Sequence, residues 1–195
     1  MTPDMPDLPF NLCWLLFATS FFGIVTIFAL SFAGQFHKEF QFFPPPEKDC
    51  WQHRLFLALF RIFLYPLIAL SILSFEADSG SLLEHILGAI MLLVGFGFAF
   101  QITFRMGWKN AFGEKQGLRT DGWFRYSRNP VYVATWIGLI GWAVLTPHPL
   151  VVFLLALWAL MYLLAPIFEE PWLEQQYGEA YTDYKRSTPR FFFGF

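Results

Sequence analysis

The sequence predicts an all-α integral membrane protein: one domain, residues 1–195, with five transmembrane helices, a basic cytoplasmic loop and a C-terminal helix. The first observation is the composition: 56% of the residues are hydrophobic and only 14% are charged. In soluble domains about a quarter of the residues are charged. The second observation is that the apolar residues fall into five long runs with almost no charge, as in membrane proteins. The third is a single basic, aromatic stretch between the third and fourth runs.

The first predicted span covers residues 12–33, which contain no charged residue. No basic region precedes it, only Asp4 and Asp7, and its apolar core is long. We therefore expect a transmembrane helix rather than a cleaved signal peptide. The three prolines at 44–46 cannot continue a helix and predict an extended linker.

The second predicted span, residues 55–75, contains Arg61 about two turns from its start. A charge at the centre of a bilayer costs roughly 3 kcal/mol on insertion scales. Two interpretations follow: Arg61 snorkels to the near interface, or it faces the bundle interior and binds an anionic group of a substrate. A short acidic turn leads to the third span, residues 82–104. Its glycines, including Gly95 and Gly97, predict close helix packing.

The fourth span, residues 131–145, and the fifth, residues 150–168, are separated by a short turn and predict an antiparallel hairpin. Asn129 is a favoured N-cap and Pro130 a favoured first helical residue, so a helix should start at Pro130. The tail from residue 169 has aromatic residues at helical spacing, which predicts an amphipathic helix weakened by Gly178.

The distribution of cations predicts the orientation of the chain. Of 13 Lys and Arg residues, three lie in the loop 35–54, six in the loop 105–129 and three in the tail, while Arg61 is the thirteenth. The N-terminus and the other two loops have none. By the positive-inside rule the N-terminus is outside and the C-terminus cytoplasmic, and five spans place the ends on those opposite sides.

The stretch 117–132, GLRTDGWFRYSRNPVY, alternates arginines with aromatic residues and ends at a helix N-terminus, whose free N–H groups favour an anion. The hairpin brings Glu169 and Glu170 close to it. Cations, carboxylates and aromatic rings together suit a mixed-charge ligand. The histidines are scattered and the two cysteines, predicted on opposite sides of the membrane, have no metal or redox spacing. We therefore expect no metal site, no nucleophilic catalytic group and no nucleic-acid partner.

These motifs resemble a known family. Residues 122–132, GWFRYSRNPVY, are similar to the Gly-x-Tyr/Phe and Arg-His/Asn-Pro-x-Tyr signature of isoprenylcysteine carboxyl methyltransferase and its bacterial and archaeal relatives, including phospholipid methyltransferase-like proteins. The tail, EEPWLEQQYGEAYTDYKRSTPRFF, resembles their Glu-Glu, Phe/Tyr-Gly-x-x-Tyr-x-x-Tyr and Pro-Arg ending. The resemblance covers residues 108–192, and the first three spans match only as hydrophobic helices.

The resemblance implies an integral membrane methyltransferase that binds S-adenosylmethionine and methylates a lipophilic or small membrane-permeant acceptor. It implies a cofactor region at about 108–132 and 169–192. The cofactor-binding residues it implies are Gln116, Gly117, Leu118, Arg119, Phe124, Arg128, Asn129, Pro130, Val131, Tyr132, Glu169 and Glu170. Arg61 is the candidate for substrate binding.

Two positions depart from the prenylcysteine enzymes. Asn129 replaces a histidine and has no titratable group, so no proton transfer is expected there. Ala165 stands four residues before Glu169, where those enzymes have an arginine for the substrate carboxylate. A prenylcysteine carboxylate is therefore not the expected acceptor. Two other functions remain open: an NADPH-dependent enzyme similar to membrane sterol reductases, or a non-enzymatic membrane protein whose basic loop binds lipid headgroups.

Overall fold

The computed structural model describes residues 10–36, 40–47, 49–77, 79–106 and 117–192. Helices account for 79% of this part, which contains no strand. The helices are α1 (Phe10–Phe36), α2 (Trp51–Leu73), α3 (Leu82–Met106), α4 (Pro130–Leu145), α5 (Pro149–Tyr177) and α6 (Glu179–Ser187). A short 3-10 turn, Gly122–Arg125, precedes α4.

In the part of the chain that the structure describes, four helices, α1, α2, α3 and α5, are long and apolar enough to cross a membrane. This part is all-helical, with four candidate spans, as in an integral membrane protein. The fourth predicted span is an apolar helix that begins at Pro130, as predicted, but it has only 16 residues. At 1.5 Å per residue it is about 24 Å long, which is shorter than a typical hydrocarbon core of about 30 Å.

The helices α1 and α2 pack closely as an antiparallel pair. The hydroxyl of Ser20 donates a hydrogen bond to the carbonyl oxygen of Phe63 at 2.7 Å. A Cβ atom on Gly23 would lie 2.8 Å from the Phe63 nitrogen and 2.9 Å from the Leu59 oxygen. Only a glycine permits this separation of the two backbones.

The helices α3 and α4 form a second close pair at their own glycines. A Cβ atom on Gly95 would lie 2.6 Å from the Gly138 Cα and 2.8 Å from the Ala134 oxygen, and one on Gly141 would lie 2.6 Å from the Gly88 oxygen. The predicted packing role of Gly95 is confirmed. Gly97 is exposed and a Cβ there would meet nothing within 4 Å, so the same prediction is wrong for Gly97.

The helix α5 contributes much of the core and also reaches the candidate site. Val151 and Leu154 are fully buried and Trp158 nearly so. The fifth span was predicted to end at residue 168, but α5 continues to Tyr177 and ends at Gly178, which has a φ of 54°. Glu169 and Glu170 are therefore part of α5. The predicted amphipathic tail helix is divided at Gly178, because this left-handed conformation ends α5 before α6 begins.

Candidate functional site

A cavity of about 460 Å³ opens between the loop after α3, the helices α1, α2 and α5, and α6. Its volume is within the usual range for small-molecule sites. The predicted cofactor-binding residues that line it are Gly117, Leu118, Arg119, Phe124, Arg128, Asn129, Pro130, Val131, Tyr132, Glu169 and Glu170. Gln116 lies outside the described residues. The fold therefore brings together two groups of predicted residues that are far apart in sequence.

Arg61, the predicted substrate-binding residue, is not among the residues that line this cavity. Its side chain is exposed on the outer surface of α2, while Phe60 and Leu57 of the same helix contact the cavity. The helical rotation between these positions turns Arg61 away. This placement supports the alternative interpretation, in which Arg61 snorkels to the interface, and we do not propose it as a substrate ligand.

Glu169 and Tyr132 form the polar pair at the wall of the cavity. The Tyr132 hydroxyl donates a hydrogen bond of 2.6 Å to Glu169 Oε1, which joins α4 to α5. The Tyr132 ring lies 4.6 Å from the ring of Tyr162. Within the described residues, Tyr132 is the only hydrogen-bond partner that Glu169 has. A carboxylate beside two aromatic rings can bind an ammonium or sulfonium group.

Arg128 connects the loop to the tail. Its Nη1 donates to the carbonyl oxygens of Lys185 and Thr188, both at 2.8 Å, and its backbone N–H donates to the oxygen of Pro189 at 2.9 Å. The side chain is only 5% exposed. Because Nη1 and Nη2 are occupied by these bonds and by Glu170, this arrangement favours a role for Arg128 in positioning the loop against the tail, and its contact with a cofactor stays a prediction.

Glu170 is buried among three cations of the protein. Its carboxylate accepts from Arg128 Nη2 at 2.9 Å and from Arg190 Nε and Nη2 at 2.8 and 2.7 Å, while Lys185 Nζ lies 3.5 Å away. The hydrogen bond to Glu170 raises the pKa of Arg190 further above its ordinary value. Both oxygens of Glu170 are engaged by cations of the protein, which favours a positioning role. Its direct contact with a cofactor stays a prediction.

The turn before α4 is built differently from the predicted cap. Asn129 does occupy the N-cap position, but its side chain does not cap the helix. Its Nδ2 donates to the carbonyl oxygen of Arg190 at 3.0 Å, and its backbone N–H donates to Ser127 Oγ at 3.1 Å. The amide of Asn129 therefore holds the tail. In the first turn of α4, Pro130 has no N–H, and the N–H groups of Tyr132 and Val133 donate to the Asn129 carbonyl oxygen at 3.1 and 3.2 Å. Within the described residues, the Val131 N–H is the one in this turn without a hydrogen-bond partner.

The helix α6 closes the site from the side of the tail. The Tyr184 hydroxyl donates to the Phe124 carbonyl oxygen at 2.7 Å, and Tyr181 is 2% exposed. Burial raises the pKa of Tyr184 well above its ordinary value, so its hydroxyl keeps the proton that it donates. The sequence indicated tyrosines at helical spacing but not this contact, which depends on the break at Gly178.

The other half of the cavity is apolar and comes from α1, α2 and the loop between them. Its lining residues there are Ile27, Phe28, Ser31, Phe43, Pro44, Pro45, His53, Phe56, Leu57 and Phe60. Sequence reasoning missed this wall, because Ser31 is a single polar residue in an apolar segment and His53 stands between Gln52 and Arg54 without a recognisable motif. The two residues belong to different helices, and the pairing of α1 with α2 places both on the cavity wall. Ala165, from α5, also lines the cavity, so the position predicted to lack a carboxylate-binding arginine does face the site.

Comparison with known proteins adds one match. Residues 83–180 match the family model described as phospholipid methyltransferase. This range covers half of the chain and contains α3, α4, α5 and the loop with Arg128. No curated protein and no solved structure matches the chain significantly.

Proposed function

The chain belongs to the phospholipid methyltransferase family, and from this membership we propose that it uses S-adenosylmethionine to methylate a lipophilic acceptor. Methyl transfer in a membrane is the activity that the family implies. We propose in addition that the methyl donor is S-adenosylmethionine and that the acceptor is lipophilic. Both proposals rest on one observation, a cavity with a mixed-charge end and an apolar end.

The mixed-charge end fits the chemistry of S-adenosylmethionine, which has a carboxylate, an ammonium group and a sulfonium centre. Arg119 is exposed beside the cavity, 3.8 Å from Asp121, and together with the Val131 N–H at the start of α4 it would bind the carboxylate. Glu169 would accept from the ammonium group. The rings of Phe124 and Tyr132 would contact the sulfonium centre.

Methyl transfer from a sulfonium is an in-line displacement. The lone pair of the acceptor forms a bond to the methyl carbon as the bond from that carbon to sulfur breaks, and a thioether leaves. Alignment and exclusion of water supply most of the catalysis, so Asn129, which cannot titrate, is compatible with this reaction. The protein therefore acts by holding the donor and the acceptor in line within one cavity.

The acceptor is expected to be a membrane lipid or another lipophilic molecule. It would enter the apolar half of the cavity from the bilayer, while the cofactor enters from the side of the loop and tail. Ala165 cannot pair with a carboxylate, and a desolvated carboxylate without a partner costs several kcal/mol. A phospholipid amine fits the site better than a prenylcysteine carboxylate.

Replacing Glu169 with alanine is expected to weaken binding of S-adenosylmethionine at least tenfold, which corresponds to about 1.4 kcal/mol. The physical reason is the loss of a charge-assisted hydrogen bond in a partly buried site. Labelled S-adenosylmethionine and purified protein in detergent provide the measurement. Glu174→Ala is the matched control, because Glu174 is on the same helix, bonds to Lys185 at 2.7 Å and does not line the cavity. Equal affinities for the two variants would refute this role for Glu169.

We further propose that α4 crosses the membrane as a fifth span, with the N-terminus outside and the cofactor site cytoplasmic. Its antiparallel arrangement with α5 supports this, because Tyr132 bonds to Glu169 at one end and Trp136 bonds to Ala159 further along. In a variant without native cysteines, Ser79→Cys and His148→Cys should react with an impermeant thiol reagent from outside. Asp121→Cys and Ser187→Cys should react only after the membrane is opened. Labelling of position 121 from outside would exclude this topology.

A further inference from the structure

Ser31 is a buried hydroxyl that faces the apolar half of the cavity. It is 4% exposed and lines the cavity from α1. Two other hydroxyls of α1, Thr19 and Thr26, donate to the carbonyl oxygens four residues earlier, and Ser20 donates to Phe63. Ser31 has no hydrogen-bond partner within the described residues. Because Ser31 is on the cavity wall, a ligand oxygen in the cavity can accept the hydrogen bond of its hydroxyl.

The pairing of α1 with α2 places His53 at the same level as Ser31. Gly23 meets Leu59 and Phe63 across the antiparallel interface. Ser31 is eight residues after Gly23 on α1, and residues 51 and 55 are eight residues before Leu59 and Phe63 on α2. Each helix rises about 12 Å over eight residues, so Ser31 and the first turn of α2 lie at the same height along the helix pair. His53 lies in this first turn of α2, is 5% exposed and lines the same cavity.

The backbone around His53 fixes its tautomer. The N–H of Asp49 donates to His53 Nδ1 at 3.0 Å, so this nitrogen is an acceptor and the ring proton is on Nε2. Asp49 has a φ of 63°, a left-handed conformation that is uncommon for residues other than glycine. The Cys50 sulfur accepts from the His53 backbone N–H at 3.4 Å. His53 is therefore held at both its ring and its backbone.

From this geometry we propose that Ser31 and His53 bind an oxygen of the methyl acceptor where its polar head joins its chains. The proposal rests on the proposed function and names a subsite for its acceptor. Both side chains can donate a hydrogen bond, and the lining residues from α1, α2 and the loop between them include no charged residue among those described. An ester carbonyl or a phosphodiester oxygen fits two neutral donors. The residues precede position 83, so they lie outside the range matched by the family model.

The test measures binding of three probes to the purified full-length protein in nanodiscs. The probes are dioleoyl phosphatidylethanolamine, its diether analogue and hexadecylamine, which has no oxygen. We expect Ser31→Ala and His53→Phe each to weaken binding of phosphatidylethanolamine about fivefold, which is the effect of one lost hydrogen bond. Neither variant should change binding of hexadecylamine or of S-adenosylmethionine. His53→Gln should restore most of the affinity, because its side-chain amide also donates.

Thr26→Ala and Gln52→Ala are matched controls on the same helices, since neither residue lines the cavity. If Ser31→Ala and His53→Phe do not weaken binding of the diether analogue, the bound oxygen is the ester carbonyl. If they weaken it as they weaken binding of phosphatidylethanolamine, the oxygen belongs to the phosphodiester. Equal weakening of hexadecylamine, or unchanged binding of phosphatidylethanolamine, would overturn the proposal. Methyl transfer is assayed separately, so a wild-type protein that transfers no methyl group rejects the proposed function while the binding comparison still decides the subsite.

Discussion

Glu170→Ala is expected to release the C-terminal tail from the loop and to weaken binding of S-adenosylmethionine by more than about a hundredfold. Removing one partner of a buried ion pair costs about 3–5 kcal/mol, because the remaining charge stays buried. Here the remaining charge is the guanidinium of Arg128, which is 5% exposed. Arg190 loses this partner as well and, among the described residues, Lys185 keeps only Glu174. The tail is then held mainly by main-chain oxygens that bind the loop of Arg128, and the unpaired charge of Arg128 destabilises that loop.

Two measurements check this result. Limited proteolysis should cut the variant after α6 at protease concentrations that leave the wild type intact, and labelled S-adenosylmethionine should show the loss of affinity. Arg190→Ala should have a smaller effect, because its side chain is 36% exposed and water can replace part of the interaction. If Glu170→Ala leaves both the cleavage pattern and the affinity unchanged, the ion cluster does not hold the tail.

Gly95→Ala is expected to separate α3 from α4 and to destabilise the protein by about 1–3 kcal/mol or more, as overpacked interfaces do. The added methyl group would lie 2.6 Å from the Gly138 Cα and 2.8 Å from the Ala134 oxygen. These neighbours are backbone atoms, which cannot move without the whole helix. Because α4 begins at the turn that contains Asn129, its displacement should also reduce affinity for the cofactor.

Gly97→Ala is the matched control on the same helix. A Cβ at Gly97 meets nothing within 4 Å, and alanine favours a helix over glycine by up to about 1 kcal/mol. Thermal unfolding in detergent should therefore show a lower midpoint for Gly95→Ala and an unchanged or slightly higher midpoint for Gly97→Ala. Equal midpoints for the two variants would mean that the close approach at Gly95 does not support the fold.

The sequence was sufficient for features that depend on local composition. Long apolar runs predicted the helices, and Pro130 marked the start of α4. Even the encounter of Arg128 with Glu170 was predictable, because a short turn makes α4 and α5 antiparallel neighbours. The two side chains meet at 2.9 Å. The family resemblance depended on the same two segments, and the matched range, residues 83–180, contains all of the first and the part of the second up to residue 180.

Other features depend on tertiary contacts that a sequence does not display. The fifth span was predicted to end before Glu169, since a carboxylate normally ends an apolar run, but Glu170 is stabilised inside the helix by cations from the tail. Asn129 was predicted to cap α4, yet its amide meets Arg190 instead. Ser31 and His53 gave no signal: Ser31 is a lone polar residue in an apolar helix, and His53 is one of several polar residues at the start of another helix. Neither position has a pattern that predicts its neighbours in space.

The hydrogen bonds by which residues 127–129 hold the tail determine which mutations of the tail will have a measurable effect. Within the described residues, every tail atom to which these residues donate a hydrogen bond is a main-chain oxygen: those of Lys185, Thr188, Pro189 and Arg190. Arg128 also bonds to a side chain, that of Glu170 on α5. Replacing the side chains of Lys185, Thr188 or Pro189 leaves these oxygens in place. An alanine scan of the tail will therefore under-report its importance, whereas inserting or deleting one residue between Ser187 and Arg190 shifts all later oxygens at once. Length, more than side-chain identity, is what natural or engineered versions of this segment must preserve.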